Sequence, residues 1–197
     1  MNSPAQPAPA GRPSSVRYFV IAFLCAAAAF AYIQRSCIAT AESTIRAELG
    51  WSKYQMGLMM SAFFWAYAFF QIPSGWLGDR WGSRAALPLY STSWSAATVL
   101  TALSGTAVTA WLAAGTGFEG AAALIAWQWF LAARFFAGAA QAGIFPCAAA
   151  IVAAWYPTSW RAAASGYIAS AQQVGAIAAL IMTAGLRRGN VLFVWID

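Results

Sequence analysis

Arg35 stands inside a long apolar segment, where a charged side chain costs about 2.5 to 3.5 kcal/mol on insertion scales and rarely lacks a role. It lies three residues after Tyr32, so a helix would place the phenol and the guanidinium on one face. A guanidinium binds a carboxylate through two parallel charge-assisted hydrogen bonds, which suits an organic acid better than a neutral sugar. The pair predicts an anion-binding site. The alternative is that Arg35 extends outward to the lipid headgroups.

A second polar stripe occurs in a later apolar segment. Arg134, Gly138 and Gln141 follow one another at helical spacing, which would turn Arg134 toward the interior of a helix bundle. Gly138 and Gly143 are expected to admit close contact between helices, and Pro146 is expected to kink the helix nearby. Arg134 either serves a ligand or only ties helices together, and these residues leave both interpretations open.

The composition indicates which elements position these side chains. Of the 197 residues, 61% are hydrophobic and only 8% are charged, which is more apolar surface than a soluble domain of this length can cover. Most uncharged stretches reach the ~20 residues that a membrane-spanning helix needs. The strict alternation typical of membrane β-barrels is absent. We therefore predict an all-α integral membrane protein.

Five membrane spans are predicted at about 17–40, 54–77, 85–106, 121–145 and 163–185, with the start of a sixth at about 191. The final segment, VLFVWID, is too short to cross a bilayer, so we expect a truncated chain. Residues 1–16, rich in Pro and Ala, are expected to be a disordered cytoplasmic tail, and residues 17–197 a single transmembrane bundle. An uncleaved first helix is favoured over a cleaved signal peptide, because the apolar stretch is long and more spans follow.

Charge and reactive residues exclude several classes of function. The net charge is +6, but the eleven basic residues are scattered and lie mostly at helix ends, where they set topology in a lipid bilayer rather than bind nucleic acid. The chain has no His and only three Cys, without metal-type spacing, and no acidic residue lies within a span. No catalytic triad, zinc site or aspartyl dyad can be assembled, so neither an enzyme nor a cofactor or metal site is expected.

The decapeptide GWLGDRWGSR concentrates charge between two apolar segments. Gly75 and Gly78 are expected to let the end of the second helix and the start of the third approach closely. Asp79 is placed to pair with Arg80 or Arg84, or to lie at the positive end of a neighbouring helix. From the residues alone, an ordinary charged hairpin explains this stretch equally well.

The decapeptide resembles the loop motif of the major facilitator superfamily, G-x-L-x-D-R-x-G-R-[RK]. Gly82 occupies the position of the last glycine of this motif, and Ser83 and Arg84 occupy its last two positions. Four stretches are similar to the anion:cation symporter branch, the relatives of sialin and of hexuronate, galactonate and glucarate carriers. They are YIQRSCIATAESTIRAELGWS, SAFFWAYAFFQIPSGWLGDR, RFFAGAAQAGIFP and WYPTSWRAAASG.

This resemblance implies the N-terminal six-helix-bundle half of a twelve-helix transporter, here truncated after about five helices. It implies a secondary transporter of small organic anions, multi-pass in the inner (plasma) membrane, with the N-terminus and the decapeptide loop in the cytoplasm. A missing C-terminal half is the implied partner. The alternative is an inert or purely interacting half-transporter, because alternating access needs two halves that move about a central site.

The resemblance also implies a set of substrate-contacting residues. In the branch, a Tyr and an Arg of the first helix, a Tyr of the second and a Gln in an SAQ triplet of the fifth line the central cavity. The corresponding residues here are Tyr32, Arg35, Tyr67 and Gln172. For Gln172, an interhelical hydrogen bond without any ligand is an equal explanation.

Two positions depart from the resembled branch. Its proton-coupled members carry an Asp immediately before the first-helix Arg and a Glu seven residues after the fourth-helix Arg, where this chain has Gln34 and Gln141. An amide does not take up and release protons in this pH range, so proton coupling by the usual carboxylates is not expected. Facilitated diffusion, exchange and coupling to another cation stay open.

Overall fold

The computed structural model describes residues 15–103, 114 and 121–188, and every regular element among them is a helix. The prediction of an all-α chain is confirmed for this part. The predicted tail up to residue 14 and the predicted sixth span lie outside the described residues. The helices are α1 (Val16–Glu48), α2 (Lys53–Trp81), α3 (Ser83–Ala102), α4 (Ala121–Ala142), α5 (Ile144–Trp155) and α6 (Thr158–Arg188).

Four segments of the described part are long and apolar enough to cross a membrane: Val16–Glu48, Lys53–Trp81, Ala121–Trp155 and Thr158–Gly185. The third predicted span corresponds to α3, a helix of 20 residues that is not among the four. Its many Ser and Thr side chains lower its hydropathy. The predicted end of that span, at 106, lies outside the described residues.

The outside of the bundle is apolar. Phe19 on α1 and Ile72 on α2 are 76% and 83% exposed, and Phe69 is 67% exposed. Exposed apolar surface of this extent is unfavourable in water and suits lipid or another apolar surface. The surface therefore agrees with a membrane protein.

The turn between α2 and α3 is shorter than the predicted loop. Most of the decapeptide continues α2, and the chain turns at Gly82 alone, whose φ of +77° favours glycine. Among the described residues, Asp79 forms no ion pair with Arg80 or Arg84, so the predicted pairing is wrong for this structure. Arg80 instead lies 5.5 Å from the ring centroid of Trp76.

Gly75 and Gly78 admit close packing, but against a different helix from the one predicted. A Cβ atom added at Gly78 would lie 3.1 Å from the sulfur of Cys147, and one at Gly75 would lie 3.7 Å from Pro146. Both neighbours belong to α5 rather than to α3. The two glycines therefore let the end of α2 approach α5.

Small residues bring the main helix pairs together. The principal contacts are α1 with α6 and α2 with α4, and α3 lies against α4. A Cβ atom at Gly138 would collide with the backbone carbonyl of Phe63, and one at Gly175 would collide with the carbonyl of Ala29. The predicted close approach at Gly138 is confirmed, and it places Arg134, on the preceding turn of α4, next to α2.

The span that contains α4 is broken at Gly143, which separates α4 from α5. Pro146 has no N–H, so the carbonyl of Ala142 loses its helical partner. Gly143 also packs against the ring of Tyr90, where a Cβ atom would collide with that ring. The break lies two residues after Gln141, in the region where the sequence predicts a kink.

Candidate anion-binding site

The guanidinium of Arg35 is surrounded by aromatic rings. Its Cζ lies 5.0 Å from the ring centroids of both Tyr32 and Tyr67, 4.8 Å from that of Phe63 and 5.9 Å from that of Phe64. The faces of such rings attract a cation. Because three of these rings belong to α2, the guanidinium points across to the neighbouring helix rather than outward to the headgroups.

Two glutamine side chains connect Arg35 to α3 and α4. Arg35 Nη2 donates to Gln141 Oε1 at 3.0 Å, and Gln141 Nε2 donates to Gln34 Oε1 at 2.8 Å. Gln34 Nε2 donates to Thr98 Oγ1 at 2.7 Å, and Trp94 Nε1 donates to Gln34 Oε1 at 2.6 Å. An amide offers both a donor and an acceptor, so each glutamine bonds at both ends. The network joins three helices and fixes the position of Arg35.

Arg134 is the largest fully buried side chain in the described part of the chain, at 1% exposure. Its Cζ lies 4.4 Å from the ring centroid of Phe63, the same ring that Arg35 contacts. Its Nε and Nη1 have no hydrogen-bond partner among the described residues. The one ion pair found in that part of the chain joins Arg46 to Glu42 at 3.3 Å, so no described carboxylate pairs with either arginine of the site. Among the described residues, these two positive charges therefore have no anionic partner.

The structure brings together three of the four predicted substrate residues. Tyr32 and Tyr67 lie against Arg35, as the resemblance implies. Gln172, on α6, is half-buried and forms no hydrogen bond with another described residue. The structure therefore does not join Gln172 to the other three.

Four further residues of the site were not predicted from the sequence: Phe63, Phe64, Trp94 and Thr98. Helical spacing could have indicated some of them, because Phe63 lies four residues before Tyr67 and Trp94 lies four residues before Thr98. The spacing places each pair on one face of its helix. It does not show which helix that face meets.

A shallow depression of about 330 Å³ borders the amide network and is lined by Gln34, Trp94, Ser95 and Thr98 together with apolar side chains. Three larger pockets, one of about 410 Å³ and two of about 690 Å³, lie elsewhere and include neither Arg35 nor Arg134. In the described ranges, no three His, Cys, Asp or Glu side chains lie close enough to hold a metal ion. Guanidinium groups with hydroxyl and amide groups beside them can bind an anion through charge-assisted hydrogen bonds.

Comparison with known proteins gives an independent view. Residues 24–190 match the family model described as Major Facilitator Superfamily. The chain is 35% identical over 164 residues to the probable galactarate/D-glucarate transporter GudP of Bacillus subtilis, which covers 83% of this chain and 33% of that protein. It is 32% identical over 169 residues to the D-galactonate transporter of Escherichia coli O6:H1, and this alignment covers 86% of this chain and 35% of that protein. It is also 32% identical over 159 residues to the probable sulfoacetate transporter SauU of Cupriavidus necator, where the alignment covers 81% of this chain and 32% of that protein. The chain thus spans about a third of the length of these curated relatives.

Proposed function

This chain belongs to the Major Facilitator Superfamily, and from that premise we propose that it forms the N-terminal bundle of a secondary transporter for small organic anions, with sugar acids as the substrate class. It is a multi-pass membrane protein of a transporter family rather than an enzyme. The names of the relatives support the substrate class, since galactarate, D-glucarate, D-galactonate and sulfoacetate are all small organic acids.

The observation that carries the proposal is the environment of Arg35. One of its terminal nitrogens is held by Gln141, and its Nε is buried without a partner among the described residues. A guanidinium fixed in this way can donate hydrogen bonds to the carboxylate of a sugar acid. The hydroxyls of Tyr32 and Tyr67 form no hydrogen bond with described residues, and they are the groups proposed to meet the hydroxyls of the substrate.

We propose that Gln172 lines the central cavity of the complete carrier, as the resemblance implies, and contacts the substrate there. Residues 17–197 are proposed to form one bundle in the inner (plasma) membrane. The N-terminus and the turn at Gly82 would face the cytoplasm. A second bundle is proposed as the partner that completes the cavity, since alternating access needs two parts that move about a central site.

Transport assays on the complete carrier test this function. Purified carrier in liposomes should take up labelled galactarate, D-glucarate or D-galactonate, and Arg35→Gln should abolish that uptake. Arg46→Gln is the matched control on the same helix, because the ion pair of Arg46 with Glu42 lies outside the site. If a folded carrier moves none of these acids, the proposed function is wrong.

The same assay separates the alternative, a half-transporter that only interacts with other proteins. Such a protein would give no uptake either alone or together with a second bundle. We expect uptake only when both bundles are present. Binding of a sugar acid by the two-bundle carrier without any uptake would favour the alternative.

A further inference from the structure

The site carries more positive charge than one carboxylate can neutralise. Arg35 and Arg134 both lie within 5 Å of the centroid of the Phe63 ring. The side chain that accepts from Arg35 belongs to Gln141, which in turn donates to Gln34, and these amides carry no charge. Among the described residues, no carboxylate pairs with either arginine.

Gln141 does not relieve this charge at Arg134. Its oxygen accepts from Arg35, and its nitrogen donates to Gln34, so both ends of the amide are directed toward α1. In the part of the chain that the structure describes, Arg134 Nε and Nη1 have no hydrogen-bond partner, and the side chain is 1% exposed. The Phe63 ring compensates only part of a desolvated charge. A buried cation without a partner is strongly destabilising, so this arrangement points to a charged ligand.

We propose that Arg134 is a second anion subsite and that the substrate is a dianion, one acidic group of which is held by Arg35 while the other is neutralised by Arg134. This inference rests on the proposed function and names the substrate class within it, namely diacids rather than monoacids. A monoanion would leave one guanidinium uncompensated in a medium of low dielectric constant, where charges interact strongly. Access to Arg134 requires movement of the Phe63 ring, which lies against both guanidinium groups.

Two acids with the same carbon skeleton provide the test. Galactarate has a carboxylate at each end of its six-carbon chain, whereas D-galactonate has a carboxylate at one end and a hydroxymethyl group at the other. Calorimetric titration of the complete carrier at pH 7 and fixed ionic strength should give an affinity for galactarate at least about tenfold higher than for D-galactonate, the scale of one charge-assisted hydrogen bond.

Variants at two positions test whether the preference for the diacid depends on the positive charge of the site. Arg134→Gln should weaken galactarate binding about tenfold more than D-galactonate binding, whereas Arg134→Lys, which keeps the charge, should retain the preference for the diacid. Gln141→Glu introduces a negative charge at the hydrogen-bond partner of Arg35 without altering Arg134, and by lowering the net charge of the site it should also remove the preference. This second variant keeps the test decisive if Arg134→Gln does not fold.

The outcomes separate the inference from the proposed function. If the folded carrier binds neither acid, the proposed function is wrong. If it binds both acids with equal affinity, the carrier function stands and the second subsite is wrong. An equal loss for both acids in folded Arg134→Gln would also overturn the inference, because it would indicate that Arg134 only holds the helices together.

Discussion

Arg35 on α1 donates a 3.0 Å hydrogen bond to the side-chain oxygen of Gln141 on α4. The partner of this guanidinium is therefore an amide rather than a carboxylate. Because the amide is neutral, the bond orients Arg35 without neutralising it. The positive charge stays available to a ligand.

Replacing Arg35 by lysine tests the geometry of the anion site. Arg35→Lys keeps the charge but loses the planar fork, so binding of a sugar acid by the complete carrier should weaken by about 1.5 to 3 kcal/mol, the scale of a charge-assisted hydrogen bond. Isothermal titration calorimetry measures this change. Arg46→Lys should leave the affinity unchanged, since Arg46 pairs with Glu42. An unaltered affinity in well-folded Arg35→Lys would remove Arg35 from the site.

The two glutamines predict how the carrier responds to pH. In liposomes with the membrane potential clamped, the unmodified carrier should move a permanently ionised acid down its concentration gradient, and an imposed pH gradient should not drive accumulation of that acid. Gln141→Glu should restore part of the coupling, because a carboxyl group can exchange protons. Uphill uptake by the unmodified carrier would show that protons travel by another route.

The close contact between α2 and α4 predicts a loss of stability. Gly138→Ala would press a methyl group against the backbone carbonyl of Phe63, and overpacking of this kind costs about 1 to 3 kcal/mol. Thermal unfolding in detergent should show a lower Tm. Gly57→Ala on α2 is the control, because nothing lies within 4 Å of a Cβ atom there. Equal Tm values for the two variants would contradict the packing described here.

Cysteine labelling tests the orientation in the membrane. Ser83 follows the turn at Gly82, and Lys53 begins α2 at the opposite end of that helix. In a carrier whose native cysteines have been replaced, an impermeant maleimide added to intact cells should label Lys53→Cys but not Ser83→Cys. Labelling of Ser83→Cys from outside would reverse the proposed topology.

Properties of a single helix could be predicted from the sequence, because they depend on spacing along one element. The spacing of Tyr32 and Arg35 correctly placed the two side chains together, and Gly138 correctly indicated a close contact. Contacts between different helices were harder to predict from the sequence. The sequence predicts that Gly78 contacts α3, whereas in the structure it contacts α5. A small residue indicates close approach without identifying the partner helix.

The hydrogen-bond network could not be predicted for the same reason. Whether Trp94 reaches Gln34 depends on the rotation and the relative height of α1 and α3, which neither helix determines alone. That Arg134 Nε and Nη1 lack a hydrogen-bond partner among the described residues follows only from the three-dimensional structure, in which the oxygen of Gln141 accepts from Arg35 instead. The sequence indicated that Arg134 mattered but left open whether it served a ligand or only the packing.

The paired charges of Arg35 and Arg134 have an electrical consequence. Moving one elementary charge across a membrane potential is worth about 2.3 kcal/mol per 100 mV. In the proposed carrier, an empty site with two positive charges would experience a change in that field whenever its access switched between the two sides of the membrane, whereas a site filled by a dianion would be neutral. A negative interior would therefore hold the empty site toward the cytoplasm and slow its outward return. Voltage would then act on the unloaded half of the transport cycle and leave the loaded half almost untouched.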